Sequence, residues 1–310
     1  MSTPTVTIGL PVYNAGTYLT GTLDALLLQE FADFELVISD NASTDATSEI
    51  CERYSKGDPR IRYFRTEVNR GAAWNFNRVF QLARGQYFKW STHDDLCLPG
   101  FLGRCVSALD AAPASVILVY PRARFIDGDG TVIGVDRDIL DTRHMSSPHR
   151  RLARILTNLN LANAVEGLIR SKVLRQTRLI GSFIASDYVL LAELAMLGEF
   201  LELPDVLFHR RLHKGASRAV NRTNAEVLSW FDPTQALRYR LGHVLCPRLM
   251  VRSRLLYEWL RSASSLPLSR TDRMLCLSTI PLAYGAGRAR TYGGLWRHRV
   301  AGMVRRAVTS

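Results

Sequence analysis

Two adjacent carboxylates, Asp94 and Asp95, are the sharpest chemical feature of this 310-residue sequence. They follow an apolar run at residues 87–91 that has the length of a strand. Paired carboxylates at a strand tip suit a hard divalent cation. Mg²⁺ commonly takes one or two protein carboxylates and fills its other positions with water and substrate phosphates. Such an ion neutralises charge that builds up on a departing diphosphate. The dipeptide fits equally well as the N-cap of a helix opening near Pro99, and the residue types alone leave both readings standing. A second polar cluster, Asp40-Asn41-Ala42-Ser43-Thr44-Asp45, follows the run at residues 34–39. Asp40, at the tip, is the residue placed to hydrogen-bond a base or ribose, whereas Asp45 reads as a helix cap. Pro11-Val12-Tyr13-Asn14 closes the run at residues 5–10, and Asn69-Arg70-Gly71 follows the run at residues 61–65.

The elements between these clusters explain why they should meet. Leu19, Leu23, Leu26 and Leu27 recur at helical spacing, a helix running to about residue 54 follows Asp45, and residues 72–83 form a third. Pro99 opens a helix to about residue 111, and residues 116–120 read as a fifth strand. Strand and helix therefore alternate, which implies a doubly wound, mainly parallel α/β sheet. Ligands of such sheets bind beyond the carboxyl ends of the strands, where all of the polar clusters lie. The second half is mixed. Asp127-Gly128-Asp129-Gly130 is a turn between antiparallel strands, residues 187–197 are helical, and residues 200–203 and 206–209 are short strands either side of Pro204. No G-x-G-x-x-G follows the first strand, which argues against a dinucleotide oxidoreductase. No G-x-x-x-x-G-K-[ST] is present, which argues against a P-loop nucleotidase.

Five blocks, VTIGLPVYN (6–14), DNASTD (40–45), Asn69-x-Gly71, GQYFK (85–89) and HDDLCLP (93–99), resemble the successive motifs of family 2 glycosyltransferases in order and spacing. The resemblance is clear over residues 4–125 and looser to about 218. It implies a GT-A fold: a Rossmann-like nucleotide-sugar-binding half at 1–125, a mixed acceptor half at 126–220, and a basic helical extension at 221–310. It implies inverting transfer of a sugar from a nucleotide diphosphate sugar, UDP- or dTDP-linked, to a glycan or glycolipid hydroxyl in cell-envelope synthesis. Pro11, Tyr13, Asn14, Asp40, Asn69 and Gly71 would hold the nucleotide. Asp94 and Asp95 match the acidic metal motif, for Mg²⁺ or Mn²⁺, with Asp94 also toward the donor. Many relatives carry a further Asp where Thr92 stands, so the metal-binding carboxylate is either of the two. Asp187 fits the place of the catalytic base, with Ser186 where relatives often carry Glu. Arg211-Leu212-His213 resembles an Arg-x-His segment over the diphosphate, with Arg211 on phosphate and His213 on the metal. A nucleotidyltransferase and a non-catalytic membrane partner are the competing readings; the first would carry a Gly-rich basic loop after strand one, which residues 11–16 do not.

Charge is segregated along the chain. Residues 236–310 hold 14 Arg, no Lys and only Glu258 and Asp272, so this quarter carries the whole net charge of +12. An excess of that kind points to an anionic partner. A membrane surface is the favoured one, with a solvated or oligomeric face as the alternative and nucleic acid set aside. The apolar stretch 274–283 contains Pro281 and is too short to span a bilayer, but with Arg and Trp296 nearby it suits an interfacial helix. Five cysteines, an odd number with no C-x-x-C pair, indicate a reducing compartment, and the N-terminus lacks the pattern of a signal peptide. The expected location is the cytoplasm, peripheral on the inner membrane face.

Overall fold

In the computed structural model, residues 3–136, 138–159, 161–215, 223–235 and 247–285 are described. Strands β1 (Val6–Val12) and β2 (Phe34–Asp40) are buried at every position, so both of their faces need cover. That is the condition of central parallel strands flanked by helices. β3 (Ile61–Arg65) and β4 (Tyr87–Trp90) complete a parallel set, joined by α1 (Leu19–Leu27), α2 (Thr47–Gly57) and α3 (Ala72–Gln81). There follow β5 (Leu96–Cys97), α4 (Phe101–Ala111), β6 (Val116–Ile126), β7 (Val132–Val135), α5 (Pro148–Asn158), a 3-10 turn at Asn163–Glu166, β8 (Leu168–Arg170), α6 (Ser171–Leu174), α7 (Ser186–Leu197) and β9 (Glu199–Arg211). α8 (Asn224–Phe231), a second 3-10 turn (Pro233–Gln235), α9 (Pro247–Ser265) and α10 (Arg270–Gly285) complete the described chain.

The strands form one mixed sheet in the order β3-β2-β1-β4-β8-β6-β9-β5, with β7 on the flank of β6. β8 lies antiparallel to both β4 and β6, so the two strands it joins run the same way. β9 pairs parallel with β6. β1, β2, β4, β6 and β9 therefore all present their carboxyl ends at one edge. The doubly wound α/β architecture expected from the alternation is present, and β1 is the switch point, with β2 on one side and β4 on the other.

Three local expectations change. The runs at 200–203 and 206–209 are one strand, β9, and the run at 116–120 continues through Pro121 to Ile126. Both prolines sit where the β6–β9 register shifts: Leu203 pairs with Pro121 and Val206 with Arg122, so Pro204 and Asp205 bulge out. A bulge absorbs a residue that lacks an N–H without ending the strand. Asp94 and Asp95 cap no helix, because β5 intervenes and α4 starts only at Phe101 after a left-handed Gly100.

Each face of the sheet carries a core. α1, α2 and α4 cover one face with Leu19, Leu23, Leu26, Cys51, Leu102 and Leu109. On the other, α7 lies between the sheet and the C-terminal helices and is buried nearly all round, from Tyr188 to Met196. This is why it lacks the one-sided apolar face that Leu190, Leu194 and Leu197 suggested. Leu255, Trp259 and Ala263 of α9, with Cys276 and Ile280 of α10, join this core. The 274–283 stretch is thus half interior, while Met274 and Leu282 remain about 70% exposed at 68% and 72%. Four cysteines, Cys51, Cys97, Cys105 and Cys276, are free and buried.

Two arginines fasten α7. Arg151 on α5 donates to the carbonyls of Ala195 and Met196, two of the last-turn carbonyls that have no partner within the helix. Arg178 bridges α7 to α9: its Nε donates to Glu193 at 2.7 Å and its Nη1 to Glu258 at 2.5 Å, with both carboxylates almost wholly buried. Ser262 donates to Glu193 at 2.7 Å. Removing one member of a buried ionic network strands the others, at a cost of about 3–5 kcal/mol. Glu258→Ala is expected to lose stability of that order in urea unfolding, and adding Arg178→Ala to cost less than the two single changes summed. An unchanged unfolding midpoint for Glu258→Ala would show that α9 is not held through this network.

Candidate active site

The parallel strands deliver four loops to the carboxyl edge, and side-chain hydrogen bonds lock the first three of these loops to one another. After β1, Asn14 takes a left-handed conformation (φ 49°), which asparagine tolerates better than most residues. Its N–H donates to Ser43 Oγ at 3.0 Å, and its Oδ1 accepts the Thr44 N–H at 2.8 Å, so the loops after β1 and β2 are tied together. Asp45 stands one residue before the N-cap of α2, which is Ala46, and accepts from Gly16 N–H and from Thr47 N–H, so it ties the loop after β1 to the start of the helix without being its cap. Asp40 is fully buried at the end of β2. Its Oδ1 accepts the Ser43 N–H at 2.9 Å, and its Oδ2 accepts the Tyr63 hydroxyl at 2.9 Å and pairs with Arg65 at 3.4 Å. Its carboxylate anchors the loop, and burial together with this charge pushes the Tyr63 hydroxyl well up. Pro11 is buried in β1, whereas Tyr13 stands 41% exposed. Asn69 Oδ1 accepts from Gly71 N–H at 2.8 Å and from Asn41 Nδ2 at 2.9 Å, which sets the turn after β3.

The carboxylate pair divides its labour. Asp95 is buried, and both of its oxygens are engaged: Oδ1 accepts the Arg211 N–H at 2.7 Å, and Oδ2 accepts the Thr92 hydroxyl at 2.6 Å. Burial and the neighbouring charge of Asp94 push its carboxyl up to about 7. Asp94 points the other way, and its Oδ2 meets His213 Nε2 at 3.0 Å. Burial raises the Asp94 carboxyl, but the contacts with His213 and the charge of His93 outweigh this and hold it below the usual carboxylate range. Arg211 faces inward: Nε donates to the Asp94 carbonyl at 3.0 Å, and Nη1 to the carbonyls of Asp127 and Gly128 at 3.1 and 2.9 Å. It braces the β6–β7 turn against the acidic loop.

Asp94 and His213 form a donor set that fits a divalent cation: a carboxylate oxygen and an imidazole nitrogen in contact, able to exchange a shared proton for a metal. Among the described residues no group of three such side chains is placed to hold an ion alone, so the remaining positions would fall to water and substrate phosphate. Asp187 lies in the first turn of α7, behind a left-handed Ala185 at φ 62°, half-buried, with Oδ1 accepting the Tyr188 N–H at 3.1 Å. It is one residue inside the helix rather than at the cap, where the helix dipole still favours a carboxylate. α7 leads into β9 through Gly198 alone and packs against β6 and β9, so its twelve residues, about 18 Å of helix, run back from the carboxyl edge. Asp187 therefore belongs to the edge that holds Asp94.

Two groups escaped the sequence reading as parts of the site. Tyr18 packs edge-on to His213 with ring centroids 4.6 Å apart, and the Arg211 guanidinium lies 4.7 Å from its ring centre. Lys89 is wholly buried beneath the acidic loop, 3.6 Å from the buried Glu166. A lysine inside the run Tyr87-Phe88-Lys89-Trp90 was the visible signal, because a charge in a core strand needs a partner. Trp90 itself is core, donating to the Phe76 carbonyl. The different tasks of the two carboxylates predict different losses. Asp95→Ala leaves two donors unsatisfied and is expected to cost about 1–3 kcal/mol in urea unfolding, clearly more than Asp94→Ala. Equal losses would mean that Asp95 has no special anchoring role.

The model of the family described as "Glycosyl transferase family 2" matches residues 7–176, more than half of the chain. Among curated proteins, TuaG of Bacillus subtilis, provisionally named as a teichuronic acid biosynthesis glycosyltransferase, is 28% identical over 59% of this chain and 82% of its own. Three uncharacterised glycosyltransferases of Rickettsia species, 30–32% identical, are spanned over well under half their length, from 18% to 38%. Among solved structures, S. aureus TarS 1-349 in complex with UDP-GlcNAc superposes with a TM-score of 0.58 at 16% identity, over 91% of both chains. The mannosyltransferase PcManGT of Pyrobaculum calidifontis, in complex with GDP-Man and Mn²⁺, gives 0.54 at 17% identity, over 100% of this chain and 87% of that one. These likenesses show the GT-A-like fold. With the family model matched across the acidic loop and the sheet edge that carries it, the chain belongs to glycosyl transferase family 2 and is a nucleotide-sugar glycosyltransferase.

Proposed function

We propose that this enzyme moves a sugar, with inversion, from a UDP- or dTDP-sugar to a hydroxyl of a glycolipid, lipid-linked or polysaccharide acceptor of the cell envelope. The observation that carries this reading is the meeting of Asp94 and His213 at the same sheet edge from which the helix of Asp187 starts. The donor lies across that edge with its diphosphate over Asp94 and His213. Asp94 and His213 would hold a divalent ion there, which would supply charge neutralisation for the departing diphosphate. The acceptor hydroxyl attacks the anomeric carbon from the side opposite the nucleotide, and Asp187 takes its proton. One displacement with no enzyme nucleophile inverts the carbon. Arg211 acts by bracing the acidic loop and placing His213. TuaG, with its provisional place in teichuronic acid synthesis, supports the choice of acceptor class. Residues 1–220 form the catalytic domain in this reading, with 221–310 as its extension.

The extension also carries the membrane part of the proposal. Among the described residues no helix is long and apolar enough to cross a membrane. α10 nevertheless exposes Met274, Leu275 and Leu282, and Tyr257 of α9 is 55% exposed. These apolar groups belong to the Arg-rich quarter of the chain, a combination suited to an anionic surface. The tail beyond 285, with Trp296, lies outside the described residues.

Two experiments test these roles. Asp187→Asn is expected to lower the rate of transfer by about 10²–10⁴-fold while leaving the Kd for the donor unchanged, as measured by product formation and calorimetry. Full transfer activity in that variant would remove Asp187 from the mechanism. The protein is expected to sediment with phosphatidylglycerol vesicles at low salt and to release at high salt; failure to bind at low salt would refute the membrane association.

A further inference from the structure

α8 and the 3-10 turn after it fold back as a strap over the end of the sheet edge formed by the loops after β1 and β3. The strap is locally well defined: Thr223 Oγ1 accepts the Glu226 N–H at 3.2 Å, and Glu226 Oε2 accepts the Thr223 N–H at 2.8 Å, a complete capping box. Its far end rests on Gly71. A Cβ at that position would lie 2.3 Å from the Phe231 carbonyl oxygen and 2.7 Å from Pro233, and the backbone there is left-handed at φ 86°. Gly71 therefore admits the strap as well as the turn. Between strap and edge lies a cavity of about 430 Å³, walled by Tyr13 and Asn69 on the sheet side and by Ala225, Ser229, Trp230 and Pro233 on the strap side.

We infer that the strap is the outer wall of the pocket for the donor's nucleobase, with Trp230 facing Tyr13 across the base and Ser229 among its polar contacts. This rests on the donor reading above. Position along the sheet favours a base over an acceptor sugar. Tyr13 follows β1 and Asn69 follows β3, whereas Asp94 follows β4 and the helix of Asp187 packs on β6 and β9. A donor with its diphosphate at Asp94 has its base toward β1 and β3 and its sugar toward β8 and β6, where the acceptor must also come. The lining agrees with that order. Two aromatic side chains give flat apolar faces, on which any base stacks. Asn69 spends its Oδ1 on Asn41 and Gly71, which assigns its Nδ2 to a base carbonyl, and the Ser229 hydroxyl can donate or accept. Selection of the base then depends on residues beyond the segment of chain that the family model matches, 7–176.

The test is calorimetric titration of the full chain with Mn²⁺ and either pyrophosphate or whichever of UDP, dTDP, GDP and ADP the wild type binds most tightly. Trp230→Ala removes one stacking face, and Ser229→Trp fills the cavity from the strap. Both are expected to weaken the nucleotide on the order of 5- to 150-fold and to leave pyrophosphate at the wild-type affinity. Wild-type nucleotide affinity in both variants would overturn the strap's role and leave the donor reading intact. Parallel loss of nucleotide and pyrophosphate would also overturn it, since the effect would then not reside in the base. A wild type that binds none of the four nucleotides would overturn the donor reading and this inference together.

Discussion

The hydrogen bond from the Arg211 amide to the buried carboxylate of Asp95 spans 116 positions of sequence and joins the end of β9 to the loop after β4. Most of the site's geometry depends on it. The amide is fixed in space because β9 is paired to β6 up to its last residue, Ile126 opposite Arg211. Once Asp95 is spent on that amide, Asp94 must face the other side of the chain. His213, two residues beyond Arg211, is then delivered to Asp94, and Tyr18 closes against its ring. The energetic burden is a pair of neighbouring carboxylates in a poorly solvated place, which shows in the raised carboxyl of Asp95. The charge of Arg210 beside Asp95 and the contacts of Asp94 with His213 and the charge of His93 offset part of this burden, and a divalent cation bound with a diphosphate is the partner whose chemistry matches the remainder.

A second constraint places the proposed base, Asp187. α7 begins at the carboxyl edge because it returns directly into β9, and it stays there because it is enclosed. Arg151 holds its last-turn carbonyls, Arg178 holds Glu193, and α9 closes over its outer side, with α10 packed on α5 and α9. α9 is thus part of the wall behind the helix of Asp187, the proposed base, and the C-terminal helices are also a candidate membrane surface. The faces are separate: Cys276 and Ile280 point into the core, and Met274 and Leu282 point away from it. Acceptor chemistry and membrane attachment would in this arrangement share one rigid body.

What the sequence disclosed follows from the same physics. β1 to β4 were legible because strands buried on both faces must be continuous apolar runs, and the polar clusters at their tips stood out against them. β6 and β9 were cut short because Pro121 and Pro204 read as punctuation, and only the pairing reveals that a shared bulge accommodates both. The roles of Asp94 and Asp95 were inseparable in sequence, since one residue of offset sends neighbouring side chains opposite ways, and the Arg211 amide that separates them carries no side-chain signal. The 274–283 stretch was read as lying on a surface, because periodicity marks an apolar face without saying whether protein or lipid covers it. The strap is built from residues too far from the family blocks to be attached to the nucleotide without the fold.

The central claim is that Asp94 and His213 hold a divalent cation only together with a diphosphate. Titration of Mn²⁺ into the protein, followed by electron paramagnetic resonance with and without UDP, tests it directly. Two protein ligands, with no third among the described residues, predict weak binding of Mn²⁺ alone and a marked tightening when UDP is present, with UDP tightened by the same factor when Mn²⁺ is added. Tight binding of Mn²⁺ without nucleotide, or UDP affinity indifferent to the metal, would contradict the account.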